Sequence, residues 1–153
     1  MGTDAPLLLL FRVGEGRFAL ACREVDQVLV RPPLLALPGA PPAVIGCFVS
    51  RGALTPVVDL CRLLLGTPCP ERISSRVVLA RVPGDSGARR MGLLAERIVE
   101  ARAIEGRPIA DVEGAAPFVT AMIQENGEVH QLVEVAAVAR AAGIGAALSR
   151  AGS

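Results

Sequence analysis

The stretch from 46 to 60 constrains the fold of this chain more than any other segment. Two apolar runs, 47–49 and 53–58, flank a turn that contains the dipeptide Arg51-Gly52. Apolar and β-branched runs on either side of a turn in which Gly accepts a positive φ are typical of a β-hairpin. Pro56 cannot donate a ladder hydrogen bond, so the second strand is predicted to be an edge or a bulged strand. The sequence therefore predicts a hairpin with an arginine at its tip.

Asp59 ends the second run, just before a leucine-rich segment that begins at Leu60 and closes at Gly66. We interpret Asp59 as a structural residue that caps this segment or accepts hydrogen bonds from turn amides. A phospho-acceptor aspartate of a receiver domain would follow a parallel strand in a βαβ chain, with an acidic pair upstream. The sequence shows neither feature.

Short apolar strands separated by turn residues continue along the chain. Two clear turns are Gly14-Glu15-Gly16 and Asn126-Gly127, and the second has the strong type I′ signal. The further predicted strands are 7–13, 17–22, 76–82, 90–94, 98–104, 118–123 and 129–135. Roughly nine or ten strands with little helix predict an all-β barrel architecture.

Helix is predicted at only two places. Apolar residues at i, i+3 and i+4 within 24–30 predict a helical turn that leads into a strand, and the alanine-rich segment 135–147 predicts a C-terminal helix. Five of the twelve prolines lie in 31–42, which predicts an extended loop without ladder hydrogen bonds. The segment 107–116 is also predicted as a loop, and 67–75 as the connector between two halves.

Charge and composition exclude several classes of function. The net charge is +1 and all sixteen cations are arginines, interspersed with acids, while the only aromatic residues are four phenylalanines. A nucleic-acid binder usually shows a clustered basic excess and stacking aromatics, so nucleic-acid binding is not expected. No apolar run is long enough to insert into a membrane, and no secretory leader is apparent, which favours a cytoplasmic protein.

The cysteines and the single histidine do not form a recognisable reactive site. The missing Cys-x-x-Cys motif and the single histidine argue against a zinc site. Without a secretory leader, the four cysteines are expected to be reduced and buried, with Cys69 between two prolines as the one candidate surface thiol. His130 is expected to be a half-exposed strand residue. A cysteine hydrolase would pair it with Cys22, Cys47 or Cys61, whose apolar neighbours favour inert thiols. No catalytic residue, cofactor site or metal site is predicted.

On these residues the chain resembles the CheW-like coupling proteins of bacterial chemosensory systems. Their signature reads Gly-x-x-Asn-Leu-Arg-Gly-x-x-x-Pro-x-x-Asp-Leu, and the chain matches it without a gap at Gly46, Arg51, Gly52, Pro56, Asp59 and Leu60. Val49 and Ser50 replace the Asn and Leu of the signature. The order of the predicted strands agrees with the family as well, so the resemblance covers residues 7–142.

The resemblance implies a particular architecture. CheW-like domains consist of two five-stranded SH3-like β-barrels packed around a shared core, here with a short C-terminal helix. The first sub-barrel would span 17–66 and the second 76–135, with strand exchange from 7–13. Residues 1–6 and 148–153 would be flexible tails.

The resemblance also implies a function, that of a non-catalytic adaptor. Such an adaptor couples the cytoplasmic hairpin tip of a chemoreceptor of the methyl-accepting type to the regulatory domain of a CheA-type histidine kinase, with self-association as a further contact. It would act in the cytoplasm at membrane receptor arrays. The residues expected to bind partners are Gln27, Val28, Val30, Val49, Ser50, Arg51 and Gly52, and the remaining motif residues Gly46, Pro56, Asp59 and Leu60 are expected to be structural.

Departures from the family pattern indicate a divergent paralogue, which we expect to serve a non-flagellar system. The acidic residue that commonly pairs with the motif arginine aligns with Gln27, and Glu24 and Asp26 are the nearby acids that would replace it. A second family acid is replaced by Ala95 or shifted to Glu96. Two alternatives stay open: a self-associating module with a different partner, and a small cysteine hydrolase.

Overall fold

The computed structural model describes residues 6–83, 89–109 and 116–144. The strands in this part of the chain are β1 (Leu7–Val13), β2 (Gly16–Ala21), β3 (Val25–Val30), β4 (Val44–Ser50), β5 (Ala53–Asp59), β6 (Arg76–Arg81), β7 (Arg90–Ala95), β8 (Arg97–Ala103), β9 (Arg107–Ile109), β10 (Val119–Glu125) and β11 (Glu128–Val133). The two α-helices are α1 (Leu60–Leu65) and α2 (Val135–Ala141). The predicted all-β architecture is thus confirmed.

The strands form two sheets. A five-stranded sheet has the order β3-β6-β7-β5-β4, and a six-stranded sheet has the order β8-β1-β2-β11-β10-β9. The sheets do not follow the expected division into 17–66 and 76–135. Instead the five-stranded sheet takes a continuous stretch, 25–95, while the first hairpin joins the C-terminal strands through the antiparallel β1–β8 pair and the parallel β2–β11 pair.

Each sheet curls until its two ends approach one another, and an arginine–carboxylate contact links them. In the five-stranded sheet, Arg51 at the β4–β5 turn reaches Asp26 on β3, with 3.2 Å between Nη1 and Oδ2. In the six-stranded sheet, Arg102 on β8 reaches Glu125 on β10, with 2.7 Å between Nη2 and Oε1. This curling gives each sheet the form of a barrel.

The strand β1 packs on both of its faces, as its continuous apolar run predicts. Leu9, Phe11 and Val13 belong to the large apolar core, whereas Leu8 and Leu10 belong to a small second core with Ala19 and Ile104 on the opposite face of the six-stranded sheet. The rings of Phe11 and Phe18 stack with their centroids 5.8 Å apart. Burial of such side chains is the main source of stability for a fold with so few aromatics.

The predicted hairpin turns are confirmed. Ser50 pairs with Ala53, which leaves Arg51 and Gly52 as a two-residue loop with φ values of 51° and 78°. Both φ values are positive, as a type I′ turn requires. Asn126 and Gly127 form the same kind of turn, with φ values of 51° and 79°.

The position of Pro56 agrees with the rule that proline avoids the interior of a ladder. β5 lies between β4 and β7, but its pairing with β7 begins only at Val57. On the other side Pro56 stands opposite Cys47, whose own N–H donates to Leu35 rather than to β5. The missing N–H of Pro56 therefore costs no ladder hydrogen bond, because β5 is still an edge strand at this residue.

Several local predictions need correction. The helical turn predicted within 24–30 is a 3₁₀ turn at Cys22–Glu24, and the whole of Val25–Val30 is strand because it pairs with β6. The loop 31–42 does form a ladder contact, a bridge between Leu35 and Cys47. The predicted loop 107–116 begins with the short strand β9.

The C-terminal helix is confirmed over α2, which ends at Ala141, just before Gly143 with its φ of 76°. Residues 145–147 of the predicted helical segment lie outside the described residues. The tail predicted at 148–153, and nearly all of the one predicted at 1–6, lie outside the described residues.

The prediction that all four cysteines are reduced is wrong for two of them. Cys61 on α1 and Cys69 on the following connector form a disulfide eight residues apart in sequence, and Cys69 is buried rather than at the surface. Cys22 and Cys47 are free thiols, the first half-buried and the second buried. Because the expectation rested on the lack of a secretory leader, it could not detect a pair that the turn after α1 brings together.

Candidate functional site

The carboxylate of Asp26 joins four elements at one end of the five-stranded barrel. Its Oδ2 lies 3.2 Å from Nη1 of Arg51 at the hairpin tip and accepts a hydrogen bond of 3.0 Å from Nε of Arg90 on β7. Its Oδ1 accepts a hydrogen bond of 3.0 Å from Nη2 of Arg81 at the end of β6. Arg81 also donates to the backbone oxygen of Arg23, ahead of β3. We call these four side chains, Asp26, Arg51, Arg81 and Arg90, the Asp26 cluster.

The Asp26 cluster combines a buried carboxylate with partly exposed arginines. Only 8% of the Asp26 side chain is exposed, whereas the side chains of Arg51 and Arg81 are about half exposed. Desolvation of the carboxylate opposes its ionisation, but the charges of Arg51 and Arg90 and the hydrogen bond from Arg81 outweigh this effect and hold the pKa of Asp26 below its usual value. Three guanidinium groups around one carboxylate leave an excess of positive charge at the surface.

A bulge in β3 decides which acid occupies this position. The pairing of β3 with β6 shifts register between Val25 and Gln27, so Asp26 turns inward and Gln27 is exposed. Glu24 takes no part in the cluster, because its carboxylate lies near the backbone of Val135 at the start of α2. Of the two acids that sequence analysis offered as substitutes, Asp26 therefore pairs with Arg51.

Exposed apolar side chains lie on the two edges that meet at the Asp26 cluster. Val28 and Val30 are exposed on β3, and Val49 and Leu54 are exposed as a cross-strand pair behind the hairpin tip, with Val30 the most open at 73%. The residues expected to bind partners are thus brought together around one end of the barrel, on β3 and on the β4–β5 hairpin. Their binding role stays a prediction.

The structural motif residues have identifiable tasks. An added Cβ at Gly46 would lie 2.7 Å from the backbone oxygen of Leu35, so only glycine permits the bridge between the proline-rich loop and β4. Asp59 is buried and caps α1, as predicted: its Oδ1 accepts from the N–H groups of Cys61 and Arg62, and its Oδ2 accepts from the N–H of Cys69. Leu60 is buried in the large core.

Glu96 takes part in a second link between parts of the chain. Its Oε1 accepts a hydrogen bond of 3.0 Å from the N–H of Gly14 in the β1–β2 turn. By the family resemblance, the acid expected at this point is replaced by Ala95 or shifted to Glu96. Ala95 is buried in the core, and Glu96 is the residue that makes the polar contact.

One group of metal-ligand residue types occurs in the described part of the chain, but it does not fit a metal. Asp59, Cys61 and Cys69 bring one potential ligand atom each within 4.8 Å of one another. However, both oxygens of Asp59 accept backbone hydrogen bonds, and the two sulfurs are bonded to each other. The group therefore stabilises the turn after α1.

His130 is buried, which contradicts the prediction of a half-exposed residue. The residue is 4% exposed, and its side chain lines a cavity in the barrel formed by the six-stranded sheet, which we call the second barrel. The alternation along β11 could not show this, because the burial comes from pairing with the distant strand β2. Cys61, one of the thiols on which the hydrolase alternative depends, is bonded to Cys69.

Comparison with known proteins identifies the family. The profile of the CheW-like domain matches residues 7–143, nearly the whole described chain. The chain belongs to the CheW-like domain family. Its members are non-catalytic scaffold or adaptor proteins of chemotaxis.

Two curated relatives agree with this assignment. Protein FrzA of Myxococcus xanthus is 31% identical over 124 residues, covering 76% of this chain and 73% of the relative. Chemotaxis protein CheW of Rhizobium meliloti (strain 1021) is 26% identical over 136 residues, covering 86% of this chain and 85% of the relative. Identities this low agree with a divergent paralogue.

The solved structure of the scaffolding protein TtCheW from Thermoanaerobacter tengcongensis has the same fold. It superposes with a TM-score of 0.74 over 88% of this chain and 87% of that one, at 18% identity. The expected pair of SH3-like barrels is therefore confirmed. Neither helix in the described part of this CheW-like domain has the length and apolar character needed to cross a bilayer.

Proposed function

We propose that this CheW-like chain is a non-catalytic adaptor that couples the cytoplasmic hairpin tip of a chemoreceptor to the regulatory domain of a CheA-type histidine kinase. The observation that carries the proposal is the Asp26 cluster, which fixes the β4–β5 hairpin tip against β3. Family membership and the names of the curated relatives support a chemotaxis role. The proposal places the chain in the cytoplasm, held at receptor arrays through its partners.

The fixed hairpin tip gives the surface a defined shape before any partner binds. Asp26 restrains the Arg51 side chain, while the exposed face of the same guanidinium is free to meet a carboxylate of a partner. Apolar contact area is available beside it at Val28, Val30, Val49 and Leu54. A charged anchor next to exposed apolar side chains, on a preorganised scaffold, is a good basis for protein binding.

An adaptor of this kind acts through position. When one chain holds both a receptor and a kinase, each second contact becomes intramolecular and benefits from a high effective concentration. Individual interfaces can then be small and weak without loss of the assembly. This explains how a family without catalytic residues can control a kinase.

The test is a titration of the purified chain against two partners from the same genome: the regulatory domain of its CheA-type kinase, and a receptor fragment that contains the hairpin tip. We expect dissociation constants of about 1–10 µM. Arg51→Ala is expected to weaken at least one of them about tenfold, and Arg107→Ala, an exposed arginine on β9 of the other sheet, is the matched control. The absence of binding to both partners up to about 1 mM would overturn the proposal.

The same samples distinguish the alternative of a self-associating module. Sedimentation of the chain alone, at several concentrations, measures its oligomeric state. A dimer that forms without either partner, and that neither partner dissociates or binds, would favour the self-associating module.

A further inference from the structure

A cavity of about 210 Å³ lies at one end of the second barrel, next to the small second core. It is bounded by β1, β2, β8 and β11, and its polar wall includes Arg12, Arg17 and His130. Arg12 pairs with Arg17 across the β1–β2 hairpin, and Gln131 pairs with Phe18, which places His130 beside Arg17. The three side chains therefore share one face of the sheet, in a single row across three strands.

Two of these residues have buried polar atoms without a partner. Neither ring nitrogen of His130 makes a hydrogen bond within the described residues, and the Nε of Arg12 is equally buried and unpartnered there. Buried polar atoms are almost always satisfied, so each exception calls for an explanation such as an ordered water or a bound ion. The imidazole carries at least one N–H and the guanidinium Nε–H is a donor, so the missing partner must accept hydrogen bonds.

The carboxylates around the cavity are already engaged by other arginines. Glu128 lies 3.3 Å from Arg17, and Glu100 and Glu125 both contact Arg102, at 3.2 Å and 2.7 Å. Arg12 has no carboxylate partner among the described residues. Among the described residues, Arg12 is thus the one arginine of this wall that no carboxylate contacts, because Arg102 engages two.

We propose that this cavity, which we call the Arg12–His130 cavity, binds a small oxyanion, a carboxylate or a phosphate. The anion would accept hydrogen bonds from Nε of Arg12 and from an imidazole N–H of His130, and it would form the direct ion pair that Arg12 otherwise lacks among the described residues. The apolar side chains of Leu10 and Val99 complete the wall and leave room for a short aliphatic portion. A bulge in β8, where the register shifts between the residues opposite Leu10 and Phe11, brings Val99 to the cavity.

This site is separate from the surface in the proposed adaptor function. The Asp26 cluster belongs to the five-stranded sheet, and every residue of the Arg12–His130 cavity belongs to the six-stranded sheet. The inference therefore does not depend on the identity of the protein partners. A bound anion in the second barrel would provide a small-molecule input to the scaffold.

The single histidine of the chain makes the test direct. The imidazole resonances of His130 are followed by NMR while the full chain is titrated with sodium phosphate and, separately, with sodium acetate, at constant ionic strength set with sodium chloride and at constant pH. We expect a saturable shift with at least one probe and a dissociation constant of about 1 mM or lower. The two arms distinguish phosphate from carboxylate.

Two variants control the experiment. Arg12→Gln removes the charge and is expected to weaken binding at least tenfold, while Arg97→Gln removes an exposed arginine opposite Arg12 on β8, outside the cavity wall, and is expected to leave it unchanged. If Arg12→Gln does not fold, the wild-type titrations alone decide the matter. Shifts that stay linear up to about 100 mM with both probes, or a saturable shift that Arg12→Gln leaves unchanged, would overturn the proposal and assign the cavity to water.

Discussion

Nη1 of Arg51 lies 3.2 Å from Oδ2 of Asp26, across the point where the β4–β5 hairpin tip meets β3. These residues are 25 positions apart in sequence and lie on strands at opposite edges of their sheet. Since Arg81 and Arg90 bind the same carboxylate, one buried acid fixes the end of the barrel that presents the predicted partner-binding residues. The shape of that surface therefore depends on a residue that no partner needs to touch.

Asp26→Asn tests this dependence. The substitution keeps the size of the side chain and removes the charge that three arginines share, so the hairpin tip is expected to loosen. Amide hydrogen exchange at Arg51 and Gly52 is expected to become faster, and Tm to fall. Glu71→Gln, at an exposed acid without an ion pair in the described structure, is the control and is expected to change neither. Unchanged exchange at the tip in Asp26→Asn would show that the cluster does not restrain it.

The stability of the chain is expected to fall in acid partly because of Asp26 and Glu125. Three arginines hold the pKa of Asp26 below its ordinary value of 3.8, and the hydrogen bond from Arg102 holds that of Glu125 below 4.5. At acidic pH the unfolded chain therefore binds more protons at these two carboxyls than the folded chain does. Their contribution to the free energy of unfolding is complete above the pKa values of the unfolded chain, and it is lost as the pH falls through the lower pKa values of the folded chain. Urea midpoints between pH 2 and 7 measure it.

Two variants test which carboxyl groups cause this pH dependence of stability. Asp26→Asn is expected to flatten the decline below about pH 4, because the substituted residue no longer titrates. Glu24 acts in the opposite sense, since burial raises its pKa and protonation therefore favours the folded state. Glu24→Gln is expected to steepen the decline. Equal slopes in wild type and Asp26→Asn would contradict the assignment.

Gly46→Ala is expected to lower the free energy of unfolding by about 1–3 kcal/mol, because its Cβ would press on the backbone of Leu35. Gly39→Ala is the control that measures the cost of backbone strain without a clash. Gly39 also has a positive φ, 79°, but nothing lies within 4 Å of its added Cβ, so a cost of only about 1 kcal/mol is expected. Denaturant unfolding of both variants provides the measurement, and equal losses would argue against a clash at Gly46.

Reduction of the Cys61–Cys69 disulfide is expected to lower the free energy of unfolding by about 2–3 kcal/mol, because the bond closes a short loop that the unfolded chain would otherwise sample freely. Urea unfolding with and without reductant measures this difference. Cys61→Ala/Cys69→Ala is expected to show the reduced stability in both conditions. A count of four reactive thiols in the denatured, unreduced protein would instead show that the cysteines are all reduced.

The fold was largely predictable because its main signals are local. Arg51-Gly52 and Asn126-Gly127 define type I′ turns through their own backbone preferences, whatever the rest of the chain does. The sequence left two acids, Glu24 and Asp26, as possible partners of Arg51. The choice between them depends on a bulge between Val25 and Gln27 that turns Asp26 inward, and a bulge has no reliable sequence signature.

The burial of His130 and the Cys61–Cys69 disulfide, neither of which the sequence predicts, depend on contacts between segments that are distant in the chain or joined by a turn. His130 is buried only because β11 pairs in parallel with β2, more than 100 residues earlier in the chain. Cys61 and Cys69 meet only because the chain reverses direction after α1 and Asp59 holds the amide of Cys69. Neither pairing produces a periodic pattern or a spacing that sequence analysis can use.

The arrangement of the sheets has a consequence for the order of assembly during synthesis. The five-stranded sheet is complete once residue 95 has left the ribosome, since all of its strands lie within 25–95. The hairpin of Leu7–Val13 and Gly16–Ala21 emerges earlier but finds its neighbours only when β8 and β11 have been made. A strand that is apolar on both faces therefore stays uncovered for most of translation, which makes this first hairpin the natural client for a chaperone and the segment most exposed to aggregation.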